Sequence, residues 1–225
     1  MALQSLKRIS AGEEVLEVLT RAIQTEEIKV GGFLPAERIL AAQLGVSRVV
    51  VREAAKVLEQ QGWVFIRHGV GIEVTNNPAL PVKKTIERIL PEDRERLRQC
   101  AQSRLLIEPE LAALAAVKAS ASLIKKLQAI NKQLTNTEDI ATAVDLDLAF
   151  HEAISTTANN QVLGLMLESV ASIGRLSRAV TIEKVGARKA AIQHQKILTA
   201  ISSGSPASAR SAMKAHLQSA MLDLD

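Results

Sequence analysis

Residues 34–62, LPAERILAAQLGVSRVVVREAAKVLEQQG, carry the reading on which the fold depends. The spacing predicts a helix, a tight turn at Gly45 and a second helix opening at Ser47. Ile39, Leu40 and Leu44 form the apolar side of the first helix. Val51, Ala54, Ala55 and Leu58 recur at helical spacing on the second. Ser47 is placed to cap the second helix by accepting a bond from an otherwise unpaired backbone N–H. Arg48 and Arg52, four residues apart, share a face away from that apolar stripe. This layout implies a helix-turn-helix whose second helix enters the DNA major groove. An arginine fork there can bond both O6 and N7 of guanine. The plain alternative is a helical hairpin with solvated arginines.

The flanks favour DNA. Arg38 opens the first helix, where it can reach a phosphate. Downstream, WVFIRHGVGIEV holds two short apolar runs around His68-Gly69-Val70-Gly71, which reads as a two-stranded wing with Arg67 and His68 at its tip. Upstream, Val15, Leu16, Leu19 and Ile23 make an amphipathic helix over about residues 13–26 that would pack behind the motif.

With LP-x-ER, GVSR-x-x-VREA and a late Gly-x-Gly in order, residues 31–74 resemble the winged helix-turn-helix of the GntR family of bacterial transcriptional regulators. The resemblance implies that Arg38, Arg48 and Arg52 contact DNA, with Ser47 beside them. It places His68 and Gly69 at the minor groove. Val49 and Val50 depart from the family, which has small, polar or proline residues there. Valine offers no hydroxyl but can pack on a thymine methyl, so the base preference is expected to differ.

Composition sets bounds. At 225 residues and 47% hydrophobic, the chain has room for two cores. No apolar run approaches the length of a bilayer span, and the opening MALQSLKRISAGEE lacks the apolar core of a leader. The single cysteine, Cys100, excludes an internal disulfide framework and fits a reducing cytoplasm, where it serves as a small packing residue. Net charge is +4, yet residues 1–75 hold nine Lys/Arg and nine Asp/Glu, so the DNA reading rests on where arginines point. Aromatics are 2% and tyrosine is absent, which argues against single-strand or RNA binding by base stacking.

The expected domains are a winged helix-turn-helix at 1–75, a linker at 76–91 and an all-helical domain at 92–225. The break TNNPALP at 75–81 marks the boundary. Beyond a short helix at 83–90, stopped by Pro91, helices are expected at about 92–118 (kinked at Pro109), 120–134, 137–156, 159–182, 184–202 and 206–224. Gly204 ends one helix, and Ser205-Pro206 starts the next.

Three of the four histidines, His151, His194 and His216, fall in this second domain. Asp147 precedes His151 by four residues, and both interrupt the stripe of Ile140, Ala143, Val144, Leu148 and Ile154. His194 lies within the stripe of Ala190, Ala191, Ile197, Leu198 and Ile201. His216 lies with Ala209, Ala212, Met213 and Ala220. His194 and His216 each stand eleven residues from Ser205, hence about 16 Å from the turn and level on antiparallel helices. Three imidazoles and a carboxylate on inward stripes suit a divalent ion, with Zn²⁺ the first choice and Ni²⁺ or Mn²⁺ the alternatives. The competing reading is a set of hydrogen-bonded core histidines; the convergence of three favours the metal.

Asp147-Leu-Ala-Phe150-His151, Asn160, His194 and His216, together with Arg104-Leu-Leu-Ile-Glu108-Pro109, resemble the FCD effector domain of FadR-type GntR regulators over about residues 92–222. The resemblance implies that Asp147, His151, His194 and His216 hold the ion. It implies that Arg104 and Asn160 meet a carboxylate effector. An arginine fork beside an open metal position recognises carboxylate well. Arg175 and Arg178 have two readings, facing the cavity or lying on a solvated or dimer-facing surface, and the surface is preferred; Lys125, Lys126, Arg94, Arg96 and Arg98 are assigned to solvent. Glu108 is given no role.

The expectation is therefore a mainly α, homodimeric cytoplasmic repressor on a short inverted repeat of double-stranded DNA, with no membrane association. A small carboxylic or sugar acid at the metal site would release it. Two other classes remain for comparison: a metal-dependent hydrolase carrying a DNA-binding appendage, and a DNA-binding protein without effector.

Overall fold

A computed structural model describes residues 10–75 and 77–224. The opening residues 1–9, read above for a leader, and Asn76 of the 75–81 break lie outside the described residues. The chain divides between Lys84 and Thr85 into two compact units.

The first unit is mostly helical with a small sheet. Helix α1, Ala11–Gln24, starts with a reciprocal cap in which Ser10 and Glu13 each accept the other's backbone N–H. Helix α2, Glu37–Leu44, ends at Gly45 in the left-handed region, φ 67°, which glycine adopts without steric cost. Helix α3, Arg48–Gln60, follows after two residues, and Ser47 Oγ accepts from Val50 N–H at 3.3 Å. Strands β1, Val64–Arg67, and β2, Gly71–Val74, pair antiparallel in the register Val64↔Val74, and Phe33 bridges to Glu73 on the other edge. Gly62 enters this hairpin at φ 81°, where a Cβ would lie 1.9 Å from the Asn77 carbonyl oxygen, so no other residue fits. Val15, Leu19, Ile23, Leu40, Val51, Ala54, Leu58, Val64 and Val74 form one buried core. Ile39 is a correction to the expected stripe: it is 43% exposed, because the inward face of this short helix is Leu40 and Ala41 with Leu44 half-buried.

Helix α4, Leu80–Ile89, leads into the second unit. There α5 (Arg94–Val117), α6 (Ala121–Asn136), α7 (Ile140–Ala158), α8 (Gln161–Ser169), α9 (Ala171–Val185), α10 (Ala187–Ser202) and α11 (Pro206–Leu222) form a bundle. Side-chain caps from Asp93, Ser120, Asp139, Asn160 and Ser205 start five of these helices. Helix α5 continues past Pro109, which is buried. Leu111, Leu127, Phe150, Ile154, Ile197, Ile201 and Met213 fill the main core, and Leu134, Val144, Ile182 and Ala191 a second cluster.

Two expectations need correction here. The single helix expected over 159–182 is two, broken at Val170 (φ −108°, ψ 9°). No Gly or Pro marks the break, so periodicity could not reveal it. Arg96, expected in solvent, is 6% exposed, its guanidinium 3.5 Å from Glu92. Position 96 is two turns before Arg104 on the buried side of α5.

Candidate functional site

Helices α7, α10 and α11 bring Asp147, His151, His194 and His216 together. All four are buried, and one ligand atom from each lies within 4.8 Å of the others. The ring centroids of His194 and His216 are 4.9 Å apart, as two histidines equidistant from a helical turn require. His194 is fully buried and stacks face to face on Phe150, centroids 4.0 Å apart.

The hydrogen bonds around these rings decide what they can hold. His151 Nδ1 bonds to Glu108 Oε2, and a carboxylate only accepts, so Nδ1 carries a proton and Nε2, 3.7 Å from Asp147 Oδ2, is the nitrogen on the cluster side. His216 Nδ1 likewise bonds to Gln193 Oε1 at 2.8 Å. His151 Nε2 and both ring nitrogens of His194 are buried without a hydrogen-bond partner. His194 Nε2 does lie 3.2 Å from Asp147 Oδ1, but outside hydrogen-bond geometry. Each unsatisfied buried polar atom costs about 1–3 kcal/mol. The donor set, three nitrogens and one carboxylate oxygen with two of the three rings oriented by outer hydrogen bonds, fits a divalent first-row ion.

Two arginines and Glu108 surround the cluster. Arg104 Nε donates to Glu108 Oε1 at 2.5 Å, and Arg178 Nε donates to Asp147 Oδ2 at 2.5 Å. Arg178 Nη1 also donates to the Gly174 carbonyl, 3.2 Å away. Burial opposes the charge on Glu108, but Arg104, His151 and Arg178 outweigh it and hold the carboxyl well below its usual range. Burial likewise opposes the charge on Asp147, and His151, Arg178 and His194 outweigh it in the same direction. His194 and His216 are pushed down, first by burial, which favours the neutral imidazole a metal requires.

Arg178 is the main correction: it is 6% exposed and faces Asp147, not solvent or a partner. Arg175, three residues before it, does lie at the surface with Asp145. The available signal was phase, since Ile173, Gly174, Ser177, Thr181 and Ile182 are the buried residues around Arg178 on α9. Glu108, read as uninformative, is 2% exposed and stands four residues from Arg104 on one face of α5. An open pocket of about 540 Å³ reaches this network, lined by Arg104, His151, Asn160, Leu167, Gly174 and Arg178 among others. Asn160 Oδ1 is engaged in capping α8 at Leu163 N–H, 3.1 Å away, so toward a ligand Asn160 offers its amide N–H₂.

In the first unit, Arg38, Ser47, Arg48, Val49, Arg52, His68 and Gly69 are all exposed, while Val50 is half-buried against the core. Val49 is 64% exposed on the first turn of α3. Arg52 is held by Glu37 of α2 through Nε–Oε1 at 3.0 Å and Nη2–Oε2 at 2.7 Å, a bidentate brace not anticipated from sequence. Gly69 takes φ 77° at the wing tip.

The profile described as "Bacterial regulatory proteins, gntR family" matches residues 11–74, and that of the FCD domain matches 99–219. The chain belongs to the GntR family. This GntR protein is 32% identical over 229 residues to the HTH-type transcriptional regulator Mce2R of Mycobacterium tuberculosis, covering 100% of this chain and 95% of that one. It is 28% identical over 202 residues to LutR, an HTH-type transcriptional regulator of Bacillus subtilis, covering 87% and 92%. The solved Streptococcus agalactiae GntR shares its fold, with TM-score 0.74 at 23% identity over 94% of this chain and 99% of that one. This GntR protein is accordingly a DNA-binding transcriptional regulator. No described helix is long and apolar enough to cross a membrane.

Proposed function

We propose that this GntR protein is a metabolite-responsive repressor. Residues 1–75 bind DNA, 76–91 link, and 92–225 bind the effector and dimerise, as in the FadR subfamily. Two winged units of a cytoplasmic homodimer take the half-sites of a short inverted repeat. Arg48 and Arg52 read bases, Arg38 positions the protein on phosphate, Ser47, Val49 and Val50 border the bases, and His68 and Gly69 lie in the minor groove. Asp147, His151, His194 and His216 hold a divalent ion, Zn²⁺ by first preference, where it supplies an electrophilic anchor for an anionic ligand. A small carboxylic or sugar acid enters beside Asn160 and meets Arg104 and the ion.

One observation carries this reading: four buried ligand atoms within 4.8 Å of one another, in a site reached by a pocket that Arg104 and Arg178 line. Release of DNA then requires that the acid bind more tightly to the dimer geometry that does not fit the operator. Operator fragments selected from random sequence by the purified protein supply the probe. Anisotropy titrations with metal-loaded and chelated protein, against a panel of acids, form the test. A metal-dependent fall in operator affinity with an acid is the expected result. Operator affinity indifferent to metal and to every acid would sink the proposal.

A further inference from the structure

Four formal charges are buried around the histidine cluster. Arg104 and Arg178 are cations, Glu108 and Asp147 anions, and each residue is at most 6% exposed. They cancel, through Arg104–Glu108 and Arg178–Asp147 contacts at 2.5 Å. The three histidines must be neutral to ligate. A divalent ion among them therefore leaves a buried surplus of two positive charges. A low-dielectric interior does not tolerate unpaired charge; it draws in a counterion. A monocarboxylate cancels half of the surplus.

The pocket has the donors for more. Arg104 and Arg178 both line it, along with His151. Arg178 Nη2 stands 3.9 Å from Glu108, beyond hydrogen-bond reach. A smaller cavity of about 30 Å³, room for about one water, lies against Arg104, Asp147, Arg178 and His216. The same two arginines thus border both the cluster and the entry. Glu152 and Glu168 also line the pocket, but they are exposed and screened by water.

We propose that the ligand of this pocket is a dianion of the dicarboxylate class, anchored at one end by the metal position and at the other by the guanidinium groups of Arg104 and Arg178. The inference rests on the metal and carboxylate reading above and narrows it to a charge. Isosteric pairs isolate that charge: malonate and malonamate, succinate and succinamate, glutarate and glutaramate.

Full-length metal-loaded protein is titrated calorimetrically with each compound at neutral pH and matched ionic strength, with retained metal measured in parallel. At least one diacid should bind roughly tenfold or more tightly than its monoamide. That preference should vanish in metal-stripped protein and shrink in Arg178→Met. Equal affinity within every pair that binds would overturn the dianion while leaving a carboxylate pocket intact. If no member of any pair binds, the dianion inference falls, while the operator titrations above decide the broader carboxylate reading.

Discussion

At the level of single residues, the least expected participant is Glu108. It accepts from Arg104 with one oxygen and from His151 with the other. It thereby sets the His151 tautomer without reaching the metal position. Outer carboxylates of this kind typically carry a 10- to 100-fold effect on metal affinity. Glu108→Ala should weaken Zn²⁺ binding by about that factor in competition with a chromophoric chelator. Glu108→Gln keeps an acceptor and should recover most of the loss. If Gln binds as poorly as Ala, charge and not orientation is what Glu108 supplies. Cys100 gives a simpler prediction. Burial pushes its thiol up, with Arg104 and Arg178 opposing, and its Sγ lies 3.7 Å from the Val170 carbonyl. The thiolate is the reactive form. Native protein should therefore resist iodoacetamide at neutral pH and label rapidly in urea; fast native labelling would contradict the packing.

At the level of elements, α3 shows how much local sequence can settle. Its buried stripe is the one its spacing implies, Val51, Ala54, Ala55 and Leu58, and Ser47 caps it. Ser47→Ala should lower the stability of the first unit by about 1 kcal/mol, visible as a lower melting temperature; no change would mean the cap is replaced by solvent. Arg52 leaves the same helix on its exposed face, braced by Glu37. Arg52→Ala should weaken specific operator binding by about 1–3 kcal/mol while leaving non-specific DNA affinity nearly intact. Equal losses on both DNAs would demote Arg52 to phosphate contact. The α8–α9 break was not legible, because it falls at Val170, with no Gly or Pro to mark it. Beyond it, a Cβ on Gly174 would stand 3.0 Å from Arg178 Nη1 and 3.9 Å from Arg104 and Cys100. Glycine here admits the two arginines, a purpose that exists only once α9 lies on α5.

At the level of the whole molecule, the two units keep separate cores: one drawn from residues 15–74, the others from 111–217. A ligand that binds only the folded state stabilises the unit that holds it, by mass action. Chelation should therefore lower the melting transition of the second unit and spare that of the first, followed by calorimetry on holo and stripped protein. A uniform drop in both would indicate that the units melt together.

Periodicity and capping reach a long way in this chain because helices are local objects. Spacing of three and four residues placed Asp147 with His151, and counting from Ser205 levelled His194 with His216, before any packing was known. The winged motif was legible for the same reason: its glycines, cap and stripe are sequence-adjacent. What packing alone decided was the company around the metal cluster. Arg178, Arg96 and Glu108 are long charged side chains, whose residue type favours solvent. Arg178 and Glu108 are buried where a helix distant in sequence supplies a partner. Glu108 meets His151 across 43 residues, and Arg178 meets Asp147 across 31. Such pairs leave no periodic trace, since the energy that offsets their desolvation arises only when both partners are brought together.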